Sequence, residues 1–255
     1  MPRWKPQLDE LIAGRRRHVA IGGDCIPAMA AMDAGAFDAC VVDPPYGVSW
    51  KGVDDQRRPI ANDRRPFIWF LGGLDRVLKP DAALACFHVE RLQQEWKAAI
   101  EIAGFTPRGQ FIWDKGHGGM GDCARSFSPR DERAWIASRG RWRLPCGRPD
   151  SILRCPNVPP AQRRHPTEKP VEVMAYLVRH LVRPGGIVFD PTMGSGSTGV
   201  AALKEGRRFV GIELDPHNLG VARKRLRDAE ASHGREPRAK LAPVPHYCFR
   251  GVAAA

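Results

Sequence analysis

The stretch from residue 187 to residue 229 leaves this chain few folds to choose from. Ile187-Val188-Phe189-Asp190 is an apolar run ending on a carboxylate, and residues 197–205 carry a helical period. Arg208-Phe209-Val210-Gly211-Ile212-Glu213 is a second such run, and residues 216–229 are helical again. Strand–helix–strand–helix at this spacing cannot make a hairpin; it makes parallel strands joined by crossover helices that cover both faces. Upstream, the apolar runs 18–21, 38–42, 82–87, 110–113 and 134–137 read as further strands. Helical spacing marks 26–36, 67–78, 90–103 and 170–182, and residues 1–17 fit a short helix or an arm. A chain of 255 residues suits one α/β domain with an insert. The expectation is a single domain over 1–255, an irregular insert at 114–164 and a flexible tail at 231–255.

Composition removes several classes. No stretch approaches the roughly 18 apolar residues of a membrane span, and the start, Met1-Pro2-Arg3-Trp4-Lys5, lacks the apolar core of a signal peptide. A cytoplasmic protein without membrane contact is expected. The 7 cysteines are scattered without a Cys-x-x-Cys pair, and the 8 histidines show no ligand spacing, so neither a disulfide framework nor a metal site is expected. The net charge of +12 is informative, because a strongly basic chain seeks a polyanion, most often nucleic acid. Much of the excess sits in 114–164, where basic residues interleave with Trp142 on irregular backbone. Lys115, Arg139, Arg141, Trp142 and Arg143 are the candidates there for contacts to phosphates and bases.

Two constellations carry chemistry. The strand at 38–42 runs into Asp43-Pro44-Pro45-Tyr46. Consecutive prolines fix φ twice and remove two N–H donors, so the turn offers a carboxylate, a rigid carbonyl on Pro44 and an aromatic ring. Such a set could grip a planar amine. The polar segment 47–66 beside it, with Trp50 and Lys51, reads as a long loop, of the kind that is functional or disordered in compact domains. The second constellation, Gly194-Ser195-Gly196-Ser197-Thr198-Gly199, opens the helix after Asp190 and formally matches a dinucleotide fingerprint. Its glycines admit close backbone approach, the helix start offers N–H groups to an anion, and Glu213 is placed to accept from ribose hydroxyls. Asp190-Pro191-Thr192-Met193 separates the strand from the first glycine, so the ligand need not be a dinucleotide.

Together these motifs resemble the S-adenosylmethionine-dependent amino-methyltransferases of DNA. Asp-Pro-Pro-Tyr resembles the catalytic motif of the N6-adenine enzymes, and Phe189–Thr198 resembles the cofactor loop. His165-Pro166-Thr167-Glu168-Lys169-Pro170 resembles the lead-in to that loop, and Gly23-Asp24 matches a further element. The catalytic motif precedes the cofactor loop, which is the order of the permuted β class. The resemblance implies a Rossmann-like methyltransferase fold, with a mostly parallel seven-stranded sheet and helices on both faces. It implies catalysis by Asp43, Pro44, Pro45 and Tyr46. S-adenosylmethionine would be bound by Asp24, Thr167, Lys169, Asp190, Pro191, Thr192, Gly194, Ser195, Gly196, Ser197, Thr198 and Glu213. Residues 165–170 also read as an ordinary helix start, with Thr167 as cap. The implied partner is double-stranded DNA, with Trp50 and Lys51 closing over a flipped adenine. A homodimer and a cognate restriction endonuclease are compatible with the class but have no signature here. N4-cytosine methylation is the nearest rival; a nicotinamide-dependent oxidoreductase and a catalytically idle DNA-binding module are more distant ones.

Overall fold

A computed structural model of the chain describes residues 1–47, 63–118, 124–125, 127–159 and 168–233. One sheet holds β1 (His18–Gly22), β2 (Phe37–Val42), β3 (Leu78–His88), β4 (Thr106–Asp114), β5 (Asp131–Ser138), β6 (Ile152–Arg154), β7 (Ile187–Asp190) and β8 (Arg208–Glu213). Their order is β1-β8-β7-β2-β3-β5-β4-β6, and every pairing is parallel except those of β5 with β3 and β4.

The middle strands are apolar along their whole length because both faces are covered. In β2, Phe37, Cys40 and Val42 face one core and Ala39 and Val41 the other, all of them 0% exposed. The first core is closed by α1 (Lys5–Ile12), α2 (Cys25–Ala30), α3 (Leu71–Val77) and α4 (Gln93–Ile102). The second is closed by α5 (Val171–Leu181), α6 (Ser197–Lys204) and α7 (Pro216–His233). From β2 the chain moves outward to β3 on one side, while β7 leads outward to β8 on the other. Right-handed crossovers then send the connecting helices to opposite faces, which opens a crevice at the carboxyl edge between β2 and β7.

Register sets what borders that crevice. Cys40 pairs with Phe189, Asp190 with Gly211, and Gly22 with Glu213. Asp43, Asp190, Glu213 and Gly23-Asp24 therefore stand at neighbouring strand ends on one edge.

Every expected strand is present, and among the described residues the sheet has eight strands rather than seven. The additional one, β6, lies inside the segment read as an irregular insert, and β5 of the same segment is inserted between β3 and β4. α2 is shorter than the helical spacing of 26–36 predicts, and α7 runs to His233, into the segment expected as a tail. The remainder of that tail and most of the 47–66 loop, with Trp50 and Lys51, lie outside the described residues, as does Thr167.

Candidate active site

The Asp43–Tyr46 turn is tied down from both ends. The Phe67 N–H donates to the Pro45 carbonyl at 3.1 Å, and the Gly47 N–H donates to Asp63 Oδ1 at 2.8 Å. The Pro44 carbonyl accepts nothing from the described residues. Thr192 Oγ1 donates to the Asp43 carbonyl at 3.4 Å, which joins this turn to the loop after β7. The Tyr46 hydroxyl donates to Asp43 Oδ1, and Lys169 Nζ donates to Asp43 Oδ2 at 2.6 Å.

Lys169, which the resemblance implied among the cofactor-binding residues, brings its ammonium from the segment just before α5 into the Asp43 cluster. Its side chain is 6% exposed, with Tyr46 Oη at 3.1 Å and Glu132 Oε2 at 3.0 Å. The Phe87 and Tyr46 rings lie 5.2 and 5.5 Å from Nζ. Burial alone would lower the Lys169 pKa, but the charges of Asp43 and Glu132 outweigh it and hold it above its ordinary value. Burial would likewise raise Glu132, yet Lys169 and Lys115 bring it below the usual carboxylate range. Burial, then the Asp43 and Glu132 charges, drive the Tyr46 phenol well up, so it stays a neutral donor.

The glycine loop follows β7. Gly194 and Gly196 have φ of 53° and 83°, left-handed values that a side chain resists, and they bend the backbone from strand into α6. A Cβ on Gly194 would meet nothing within 4 Å, so open space lies over the turn. The Gly194 N–H donates to Glu213 Oε2 and the Asp215 N–H to Glu213 Oε1, both at 2.8 Å. Burial raises the Glu213 pKa against those donors. Burial also pushes the Asp190 carboxyl up to about 7, against hydrogen bonds from the Thr198 hydroxyl and the Thr192 N–H. Asp24 caps α2 by accepting from the Ile26 N–H at 2.8 Å, on the strand end beside Glu213.

Two contributors escaped sequence reading. Glu132 looked like one acid in a basic segment. Arg225 looked like part of a charged helix, but its buried Nη1 donates to Ser195 O at 2.9 Å and Ser195 Oγ at 2.8 Å, while Nη2 meets Glu168 at 2.8 Å. It fastens the glycine loop to the segment carrying Lys169. Only its buried place on the α7 face, opposite small loop residues, could have signalled this.

The expected DNA contacts divide. Lys115 follows β4 at the crevice edge, with Nζ 3.5 Å from Glu132. Arg139, Arg141, Trp142 and Arg143 do not join it: β5 runs antiparallel to β3, so its end lies at the opposite edge of the sheet. Arg139 donates there to Lys79 O and Asp75 O, and the Arg141 N–H donates to Asp81.

A parallel sheet that reverses order beside a glycine turn, with acidic ends on the flanking strands, is the architecture of the α/β methyltransferases. The family model for N6/N4-type DNA methylases matches residues 37–224, and the chain belongs to that family. YubD of Escherichia coli (strain K12), named as a methylase, is 38% identical over 197 residues, covering 76% of this chain and 83% of YubD. The cytosine-N4-specific PvuII DNA methyltransferase superposes with a TM-score of 0.66 at 16% identity, covering 86% of this chain and 93% of that one. M1.HpyAVI, solved as a SAM complex, gives 0.63 at 21% identity, covering 82% and 100%. Those two likenesses concern the fold.

Proposed function

We propose that this DNA methylase transfers a methyl group from S-adenosylmethionine to N6 of an adenine flipped out of double-stranded DNA. One observation carries the reading: the Asp43 carboxylate and the Pro44 carbonyl sit at the end of β2, directly beside the loop that β7 sends into the glycine turn. The residues fit the cofactor. Open space above Gly194, the α6 start and the Glu213 carboxylate suit a ligand with a ribose and an anionic group, and Asp24 stands where an exocyclic amine could donate. When bound, S-adenosylmethionine supplies an electrophilic methyl on a cationic sulfur.

The chain does the rest by positioning. Adenine N6 is unreachable inside the stack, so the base must leave it at a cost of a few kcal/mol. Asp43 and the Pro44 carbonyl accept the two N6 hydrogens, which draws the nitrogen lone pair out of conjugation and aims it across the crevice. Tyr46 offers its ring for stacking. Fixed acceptors favour the cationic amine as it forms, and that amine sheds its proton readily, so no strong base is required. Lys115, which follows β4, Arg130, which precedes the antiparallel β5, and Arg154, which ends β6, lie on the crevice edge and are the described basic residues best placed for phosphates.

Replacing Asp43 by Ala tests the assignment. Transfer to DNA should fall more than 100-fold while cofactor affinity, read by calorimetry, stays within a few-fold, because the interaction lost belongs to the transition state. Near wild-type transfer by that variant would overturn it.

A further inference from the structure

Resting on the methyl-transfer reading above, we infer that Glu132 is a positioning residue. It holds the Lys169 ammonium against Asp43 and Tyr46 and cancels its charge where positive charge arrives on the target nitrogen. Lys169 Nζ has three oxygens around it: it donates to Asp43 Oδ2 at 2.6 Å and Tyr46 Oη at 3.1 Å, and it forms an ion pair with Glu132 Oε2 at 3.0 Å. The phenol passes the contact on, since it accepts from Lys169 and donates to the second Asp43 oxygen. Lys169 thus fixes both oxygens of Asp43, one directly and one through Tyr46.

That arrangement alone would be self-defeating. Methyl transfer moves positive charge onto the amine bound at Asp43, and a buried ammonium 2.6 Å from the same carboxylate opposes it. Glu132 resolves the conflict. Projecting from β5, it faces Lys169 with one oxygen and Lys115 with the other, at 3.5 Å. Among the described residues, the charged and titratable groups around Lys169 are Asp43 and Tyr46 from the turn after β2, Glu132 from β5 and, behind it, Lys115 after β4; the Phe87 ring of β3 adds no charge. Two acids and two ammonium groups sum to zero, so Asp43 is held rigidly without a net cation beside the reacting atoms. Without Glu132 the cluster carries one excess positive charge.

The test is Glu132→Gln, which keeps the shape and an acceptor while removing the charge, compared with Glu132→Asp and with the double variant Glu132→Gln/Lys169→Gln. The double variant takes away both members of a buried pair and leaves neither uncompensated. The expected result is a fall in kcat of tenfold or more for Glu132→Gln, cofactor affinity within twofold of wild type, and partial recovery in Glu132→Asp. The double variant should be no slower than Glu132→Gln, because the two residues act as a unit. Lysine side-chain NMR supplies a readout independent of turnover: Lys169 should lose its proton at lower pH in Glu132→Gln than in wild type. If wild type is active and Glu132→Gln turns over within twofold of it, the role assigned to Glu132 is wrong. A double variant slower than Glu132→Gln, or a kcat loss matched by an equal loss of cofactor affinity, overturns it too. A wild-type protein that transfers no methyl to DNA instead overturns the reading on which the inference rests.

Discussion

At the scale of single residues, the crevice is a place where burial is set against function. Asp190 has its carboxyl 2% exposed among apolar neighbours, with two donors on it. Those donors do not offset burial, which pushes the carboxyl up to about 7. A carboxyl raised by folding contributes stability that is fully present below its unfolded value and is lost as pH rises through the folded one. Asp190 should therefore make the protein less stable at pH 8 than at pH 4 by about 4 kcal/mol, and Glu213, also raised, works in the same direction. Asp190→Asn keeps an acceptor for Thr192 and Thr198 but cannot ionise. In urea unfolding across pH 4–8, wild type should lose stability relative to Asp190→Asn as pH rises. A difference that stays flat with pH would show that Asp190 is already ionised in the fold.

At the scale of elements, the glycine turn works because α6 lies hard against β8. Gly199, in the first turn of α6, is buried, and a Cβ there would come within 2.5 Å of Phe209 and Leu226. Gly199→Ala should destabilise the fold by about 1–3 kcal/mol, since neither the strand residue nor the α7 residue has room to yield. Thermal unfolding checks this, and an unchanged midpoint would mean that α6 and β8 pack more loosely than described. The same element scale shows what was legible in the sequence. The seven strands read from apolar runs all exist, because a strand covered on both faces must be apolar throughout. Ile152–Arg154 was missed because three residues pairing with β4 carry no period. The Asp43 turn and the Gly194 loop were readable because proline and glycine announce backbone geometry locally. The contacts of Lys169 and Arg139 were not readable, for the opposite reason. Their partners lie 126 and 64 positions away in Asp43 and Asp75, and only the packed sheet, with β5 running backward through it, decides which edge each side chain reaches.

At the scale of the whole molecule, the order reversal between β2 and β7 brings an amine-gripping turn and a ligand-holding turn to one crevice, on a chain of net charge +12. Charge of that sign favours binding to a polyanion at any sequence and makes it salt-dependent, but it does not choose the atom that is modified. The choice is made by Asp43, Pro44 and Tyr46, held through Lys169 and Glu132. The product therefore tests the account most directly. Purified protein, duplex DNA and S-adenosylmethionine with a labelled methyl group are incubated, and the DNA is digested to nucleosides for mass spectrometry. The account predicts label in N6-methyl-2′-deoxyadenosine. Label in N4-methylcytosine or on a ring carbon, or DNA without label, would contradict it.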